Sequence, residues 1–129
     1  MFLGKYKNTV DNKGRLNLPK EFSQKLGKRL IIVNSIFGTN RCLDAFPMGE
    51  WASIEKAMSQ KPRLNNRSKF QIYYLSGAFE CAIDDGRVTI PKTLREYAGI
   101  EENVVLGAAG SKFRIWDQSS WIKVFKEKP

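Results

Sequence analysis

The chain repeats itself, and no other feature constrains its fold as much. Asp11-Asn12-Lys13-Gly14-Arg15-Leu16-Asn17-Leu18-Pro19-Lys20 returns as Asp84-Asp85-Gly86-Arg87-Val88-Thr89-Ile90-Pro91-Lys92. From the arginine onward the copies align without a gap: Arg15 with Arg87, Pro19 with Pro91, Lys20 with Lys92 and Gly27 with Gly99, each 72 residues apart. Ile31-Ile32-Val33 answers Val104-Val105-Leu106 at an offset of 73, and Phe46 and Trp51 answer Trp116 and Trp121 at 70. So many matches in one order describe a single supersecondary unit present twice, with small indels in its loops. A unit this small buries its apolar faces poorly by itself, so two must pack together. The expected fold is α+β and β-rich, a pseudo-two-fold pair of interleaved units forming a small barrel with peripheral helices.

Each unit has a local reading. Tyr6 to Val10 alternates and carries β formers, so it predicts a strand. Asp11 to Gly14 is a turn, with glycine free to take positive φ. Arg15-Leu16-Asn17-Leu18 alternates again, placing Leu16 and Leu18 on one face and Arg15 and Asn17 on the other. That hairpin carries Arg15 and Lys13 near its tip. Pro19 suits the start of a short helix from Lys20 to Leu26, which Gly27 stops. Strands over Arg29–Asn34 and Arg41–Phe46 follow, then a helix over Gly49–Ser59 with Trp51, Ile54 and Met58 at helical spacing. The second unit repeats the order: strand Ala78–Ile83, a turn, strand Arg87–Ile90, a helix to Ala98, strands Asn103–Ala108 and Lys112–Trp116, and a helix from Ser119. Asn65 to Leu75 reads as a connecting helix with Phe70, Tyr73 and Tyr74 inward. The expected division is a first repeat at 1–64, a connecting helix at 65–76 and a second repeat at 77–129.

Charge narrows the partner. The 129 residues carry a net charge of +9. Residues 1–70 hold 14 Lys and Arg against 5 Asp and Glu, whereas residues 71–129 hold 8 of each. A one-sided basic surface suits a polyanion, with nucleic acid ahead of anionic lipid. No apolar run approaches the roughly 20 residues that span a bilayer. The opening Met1-Phe2-Leu3-Gly4-Lys5 has no apolar signal region, so a cytosolic location is expected. The chain has no histidine and only two cysteines, Cys42 and Cys81, without a C-x-x-C spacing. That inventory argues against most zinc sites, haem ligation and Ser-His or Cys-His catalysis. Both cysteines read as small core residues without a disulfide. Trp51, Trp116 and Trp121 read as core, and Asp84 with Asp85 as turn carboxylates. No enzyme activity, metal, cofactor or small-molecule substrate is expected.

Met1-Phe2-Leu3-Gly4, the Asp11-x-x-Gly14-Arg15-Leu16-x-Leu18-Pro19 segment and Leu94-Arg95-Glu96-Tyr97-Ala98-Gly99 together resemble the MraZ family. The resemblance spans nearly the whole chain, tandem repeat included. It implies the swapped-hairpin AbrB-type fold, related to SpoVT and the antitoxin MazE. It also implies a transcription regulator that binds repeated promoter boxes ahead of division and cell-wall genes. Association with the nucleoid and ring-shaped homo-oligomers are further implications. The family's D-x-x-x-R signature falls on Asp11 and Arg15, with Lys13 inside it. The second copy departs: four residues before Arg87 stands Ile83, and Asp84 is only three before it. The candidate DNA-contacting residues are Asp11, Asn12, Lys13 and Arg15 in the first turn, Lys5 and Lys7 on the preceding strand, and Asp84 and Arg87 in the second turn. The alternative is a MazE-like antitoxin with a protein partner. Such proteins usually add a disordered acidic tail, and this C-terminus is short and of mixed charge.

Overall fold

The computed structural model of the chain describes residues 1–59 and 66–127. In order these are β1 (Lys5–Thr9), β2 (Arg15–Asn17), α1 (Lys20–Leu26), β3 (Arg29–Phe37), β4 (Asn40–Pro47), α2 (Met48–Ser59) and α3 (Asn66–Ser76). The second half supplies β5 (Phe79–Asp84), β6 (Arg87–Thr89), α4 (Lys92–Ala98), β7 (Asn103–Ala109), β8 (Lys112–Asp117) and α5 (Gln118–Phe125). The eight strands form one antiparallel sheet in the order β1-β7-β8-β4-β3-β5-β6-β2. An isolated bridge between Val10 and Leu16 brings the two ends together into a nearly closed barrel. Closure removes the exposed sheet edges that invite aggregation.

Register shows how the halves interleave. β1 of the first unit pairs with β7 of the second, and β5 of the second pairs with β3 of the first. The pseudo-two-fold axis runs through two further ladders. Leu16 faces Val88 at the centre of β2–β6, and Asp44 faces Arg114 at the centre of β4–β8. Equivalent backbone bonds cross that axis: the Leu18 amide donates to the Gly86 carbonyl at 2.9 Å and the Ile90 amide to the Gly14 carbonyl at 2.8 Å. Each turn is therefore held by the other repeat.

This pairing corrects the expected first hairpin. β2 forms its regular ladder with β6, and it meets the preceding segment through the Val10–Leu16 bridge, the Asp11 amide on the Arg15 carbonyl and the Asn8 side chain on the Asn17 carbonyl. In the second unit β5 and β6 do pair locally, through Ile83–Val88 and Asp84–Arg87. Pro19 and Pro91 cap their helices with the same geometry, φ −54° and ψ 141°. The proline ring presets that φ, and each proline carbonyl then accepts the first helical N–H bonds.

The barrel interior is packed by Leu16, Phe22, Ile32, Leu43, Leu106 and Phe113 among others. Full burial of one such side chain contributes about 1.5–3 kcal/mol relative to leaving it in water. Two satellite clusters lie on the outside of the sheet. Ile31, Val33, Phe46 and Trp51 pack beneath α2 and α3, while Cys42, Val105 and Trp116 pack with Trp121 and Val124 of α5. Trp51 and Trp116 are core residues as expected, and Trp121 is half-buried against Gly107, where a Cβ would fall 3.1 Å from its ring. Both cysteines are buried free thiols whose pKa is pushed up to about 11 by desolvation.

α3 differs from its expected orientation. Tyr73 points outward and is 60% exposed. Tyr74 and Leu75 pack on the sheet instead, and the Tyr74 hydroxyl donates to Asp44 Oδ2 at 2.9 Å. The inward face of the helix is centred on Tyr74 and Leu75, and at about 100° per residue this leaves Tyr73 on the solvent side. The expected start of this helix at Asn65, the inward Phe70 side chain, and the repeat boundaries at 64 and 129 lie outside the described residues.

Candidate nucleic-acid interface

The first turn is built around one carboxylate. The Gly14 amide donates to the Asp11 carbonyl at 2.9 Å and the Asp11 amide to the Arg15 carbonyl at 3.1 Å, with Gly14 at φ +86°. This is a four-residue turn, Asp11 to Gly14, that ends in a left-handed glycine, the arrangement of a hairpin with a bulge. Asp11 Oδ1 accepts the amides of Arg15 at 2.8 Å and Lys13 at 3.0 Å, and Oδ2 accepts Arg15 Nε at 2.6 Å. The Arg15 backbone amide, above all, holds the Asp11 carboxyl down to about 2. Asp11 thus spends its charge inside the turn and fixes the Arg15 guanidinium through its inner nitrogen. The terminal nitrogens stay outward, in the fork that matches phosphate or a guanine edge. Asn12 and Lys13 are exposed at the apex, and Lys13 makes no ion pair among the described residues.

The second turn is one residue shorter. Asp85 at φ +53° and Gly86 at φ +73° connect the Cα partners Asp84 and Arg87. Two successive positive φ values mark the tight two-residue hairpin loop that suits strand twist, and aspartate is among the few residues that tolerate this region. Among the described residues Arg87 makes no ion pair, so Asp84 does not brace it as Asp11 braces Arg15.

The β2–β6 ladder unites the two turns. Leu16 and Val88 point into the barrel, so Arg15, Asn17, Arg87 and Thr89 share the outward face. Arg15 sits opposite Thr89 and Asn17 opposite Arg87, which sets the two arginines diagonally across the pseudo-two-fold axis. A groove of about 430 Å³ runs beside them, lined by Arg15, Arg87, Asp84, Thr89 and Glu80. Each repeat thus contributes one arginine to this face.

Lys5 lies apart from both turns, and Lys7 is exposed on the same strand. Lys5 lies at the end of β1 far from the turn, ion-paired to Glu127, with its ammonium 5.7 Å from the centre of the Trp121 ring. Bonds from Lys5 and Trp121 pull the Glu127 carboxyl below its usual range, with Lys7 contributing through space. Three residues outside the candidate contact set help to build this face. Asn8 donates its side-chain amide to the Asn17 carbonyl and so ties β1 to β2. Asn17 shares the arginine face. Arg95 donates Nε to the Ile90 carbonyl at 2.9 Å and lies against Gly14. No local pattern distinguishes Arg95 from an ordinary surface helix arginine, because its neighbour is the turn of the other repeat.

Among the described residues no group of His, Cys, Asp or Glu is placed to hold a metal, and no helix is long and apolar enough to cross a membrane. Two interleaved units, exchanged strands and paired turns around one axis define the swapped-hairpin barrel class. Within that class, the MraZ family, described as "MraZ protein, putative antitoxin-like", matches residues 1–70 and 74–128. A transcriptional regulator MraZ from Caldicellulosiruptor bescii is 37% identical over 125 residues, covering 95% of this chain and 85% of that protein. Another from Moorella thermoacetica is 37% identical over 130 residues, covering 98% and 88%. A third, from Halothermothrix orenii, is 35% identical over 123 residues, covering 94% and 84%. The chain belongs to the MraZ family.

Proposed function

We propose that this protein is a sequence-specific DNA-binding transcription regulator that lays the outer face of β2–β6 on duplex DNA. The observation that carries this reading is the convergence of Arg15 and Arg87, one from each repeat, on one face astride a two-fold axis. A two-stranded β-ribbon fits the major groove, and arginine forks there pair with guanine edges. Lys13 at the first apex contacts phosphate and sets register without reading sequence. The names of the relatives, all transcriptional regulators, agree with this assignment.

The finer reading follows the family. The targets are repeated promoter boxes ahead of division and cell-wall genes, bound in the cytoplasm at the nucleoid, with no turnover and no small-molecule substrate. The protein works as a ring of copies, so that individually weak contacts add through effective concentration when box spacing matches subunit spacing. Ile36, Phe37 and Phe125 support self-association, because they leave apolar surface in water at 50%, 43% and 43% exposure. Titration of the full chain on a promoter fragment with repeated boxes, a shuffled duplex and a duplex RNA of equal length tests the function. Tighter binding to the boxes is expected. Equal binding to all three would sink the reading, and a stable monomer in light scattering at micromolar concentration would sink the ring.

A further inference from the structure

The first turn is completed by a residue of the opposite repeat. Arg95 sits in α4, half-buried, and its Nε–H donates to the Ile90 carbonyl at 2.9 Å. The Ile90 amide in turn donates to the Gly14 carbonyl at 2.8 Å. Two hydrogen bonds in series therefore join Arg95 to the base of the first turn. The guanidinium also occupies the space where a side chain on residue 14 would stand. A Cβ there would fall 2.6 Å from Arg95 Nε and 2.7 Å from Cζ, inside any contact a real Cβ makes. The glycine at position 14 thus serves close approach as well as positive φ.

The other turn has no such support. The 72-residue offset places Ser23 of α1 where Arg95 stands in α4, and the Ser23 hydroxyl donates to the Lys20 carbonyl at 3.2 Å. A Cβ on Gly86 would meet nothing within 4 Å. The two turns share one backbone scheme across the axis, but only the first has a cation beneath it.

We infer that Arg95 is a positioning and phosphate-contacting residue of the first turn, resting on the DNA-binding reading above. Its inner nitrogen is committed to the Ile90 carbonyl, whereas its terminal nitrogens make no hydrogen bond among the described residues. They lie beside Gly14, which stands between Lys13 and Arg15 in the chain, and the Asp11 carboxylate is engaged by Lys13 and Arg15 instead. A phosphodiester oxygen supplies the acceptor they lack, and a bound arginine fork is stronger and better oriented than a lysine there.

The test uses the full chain as wild type, Arg95→Ala, Arg95→Gln, Arg95→Lys and Arg15→Ala, each titrated on promoter and random duplex across a salt series. Arg95→Ala is expected to lose about tenfold or more on both duplexes and to lower the salt slope by about one unit. Arg95→Gln keeps a donor for the Ile90 carbonyl without the charge, so it separates the roles. It should hold the melting temperature near wild type and still lose the salt-slope unit. Arg95→Lys should restore the slope but not the full affinity. Arg95→Gln binding within twofold of wild type at unchanged slope overturns the inference, even if Arg95→Ala fails to fold. If Arg15→Ala is weakened while Arg95→Gln is not, the DNA-binding reading stands and only the role of Arg95 falls. If wild type prefers no duplex, both fall together.

Discussion

The first turn spans five residues from Asp11 to Arg15, and the second spans four from Asp84 to Arg87. That single residue changes the chemistry available to each arginine. With the extra residue, the chain bulges at Gly14 and Asp11 can fold back onto the Arg15 amide and side chain. Without it, Asp84 and Arg87 become direct ladder partners and Arg87 projects unbraced. Arg95 beneath Gly14 deepens the contrast, since nothing stands beneath Gly86. The comparison teaches that two turns related by an axis can share one outward face while holding their arginines differently. One arginine is preorganised and the other adaptable. A preorganised side chain loses less conformational entropy on binding, so its contact yields more net affinity.

The largest expected difference lies at the glycines. Gly14→Ala combines left-handed strain with displacement of the Arg95 guanidinium from the Ile90 carbonyl, so a stability loss of about 2 kcal/mol is expected. Gly86→Ala carries only the backbone strain, about 1 kcal/mol. Thermal melting of the two variants measures this, and equal losses would break the asymmetry at its base.

The arginines come next. Arg15→Ala should cost on the order of 1–3 kcal/mol per contact on specific DNA, and Arg87→Ala less than about 1 kcal/mol. Both side chains are at least partly exposed, so neither change should move the melting temperature much. Affinity titration on operator and random duplex decides it. If Arg87→Ala proves as damaging as Arg15→Ala, bracing by Asp11 is irrelevant to binding.

Acid sharpens the comparison further. The Asp11 carboxyl is lowered from its ordinary value of 3.8 to about 2 by the Arg15 amide first. A depressed folded-state value means stability that is present above the ordinary value and lost as pH falls through about 2. Asp11→Asn should therefore flatten the acid limb of the stability curve between about pH 4 and 2. An unchanged limb in acid-unfolding profiles would mean that Asp11 bonds the unfolded chain equally well.

The smallest effect is expected at Lys13. As an exposed phosphate contact, Lys13→Ala should weaken all duplexes alike and lower the salt slope by roughly one unit. A loss confined to operator DNA would instead make Lys13 a base reader.

Much of this architecture was visible in order along the chain. The turn at Asp11–Gly14, the proline-started helices and the paired tryptophans of the two units all follow from patterns confined to a few residues. Turn chemistry, proline and the periods of 2.0 and 3.6 act locally, so a local reading reaches them. The bracing of Arg15 by Asp11 is of the same kind, since the two lie four residues apart.

Partner choice has a different origin. β1 and β5 carry similar alternation, and nothing within β1 says that it pairs with β7 rather than folding back on β2. The exchange is decided by closing eight strands around one core, a condition that no segment meets alone. The same closure carries Arg95 of the second repeat beneath Gly14 of the first, ties Lys5 to Glu127 at the far end of β1, and gives Asp44 to Tyr74 while Tyr73 turns to solvent. It also brings one arginine from each repeat to the β2–β6 face. The sequence by itself determined the two units, their turns and the residues that must be buried, because those depend on short-range sterics and periodicity. Which unit completes which site was decided only by the tertiary structure, because hydrogen-bonding strands of equal pattern are interchangeable until packing selects among them.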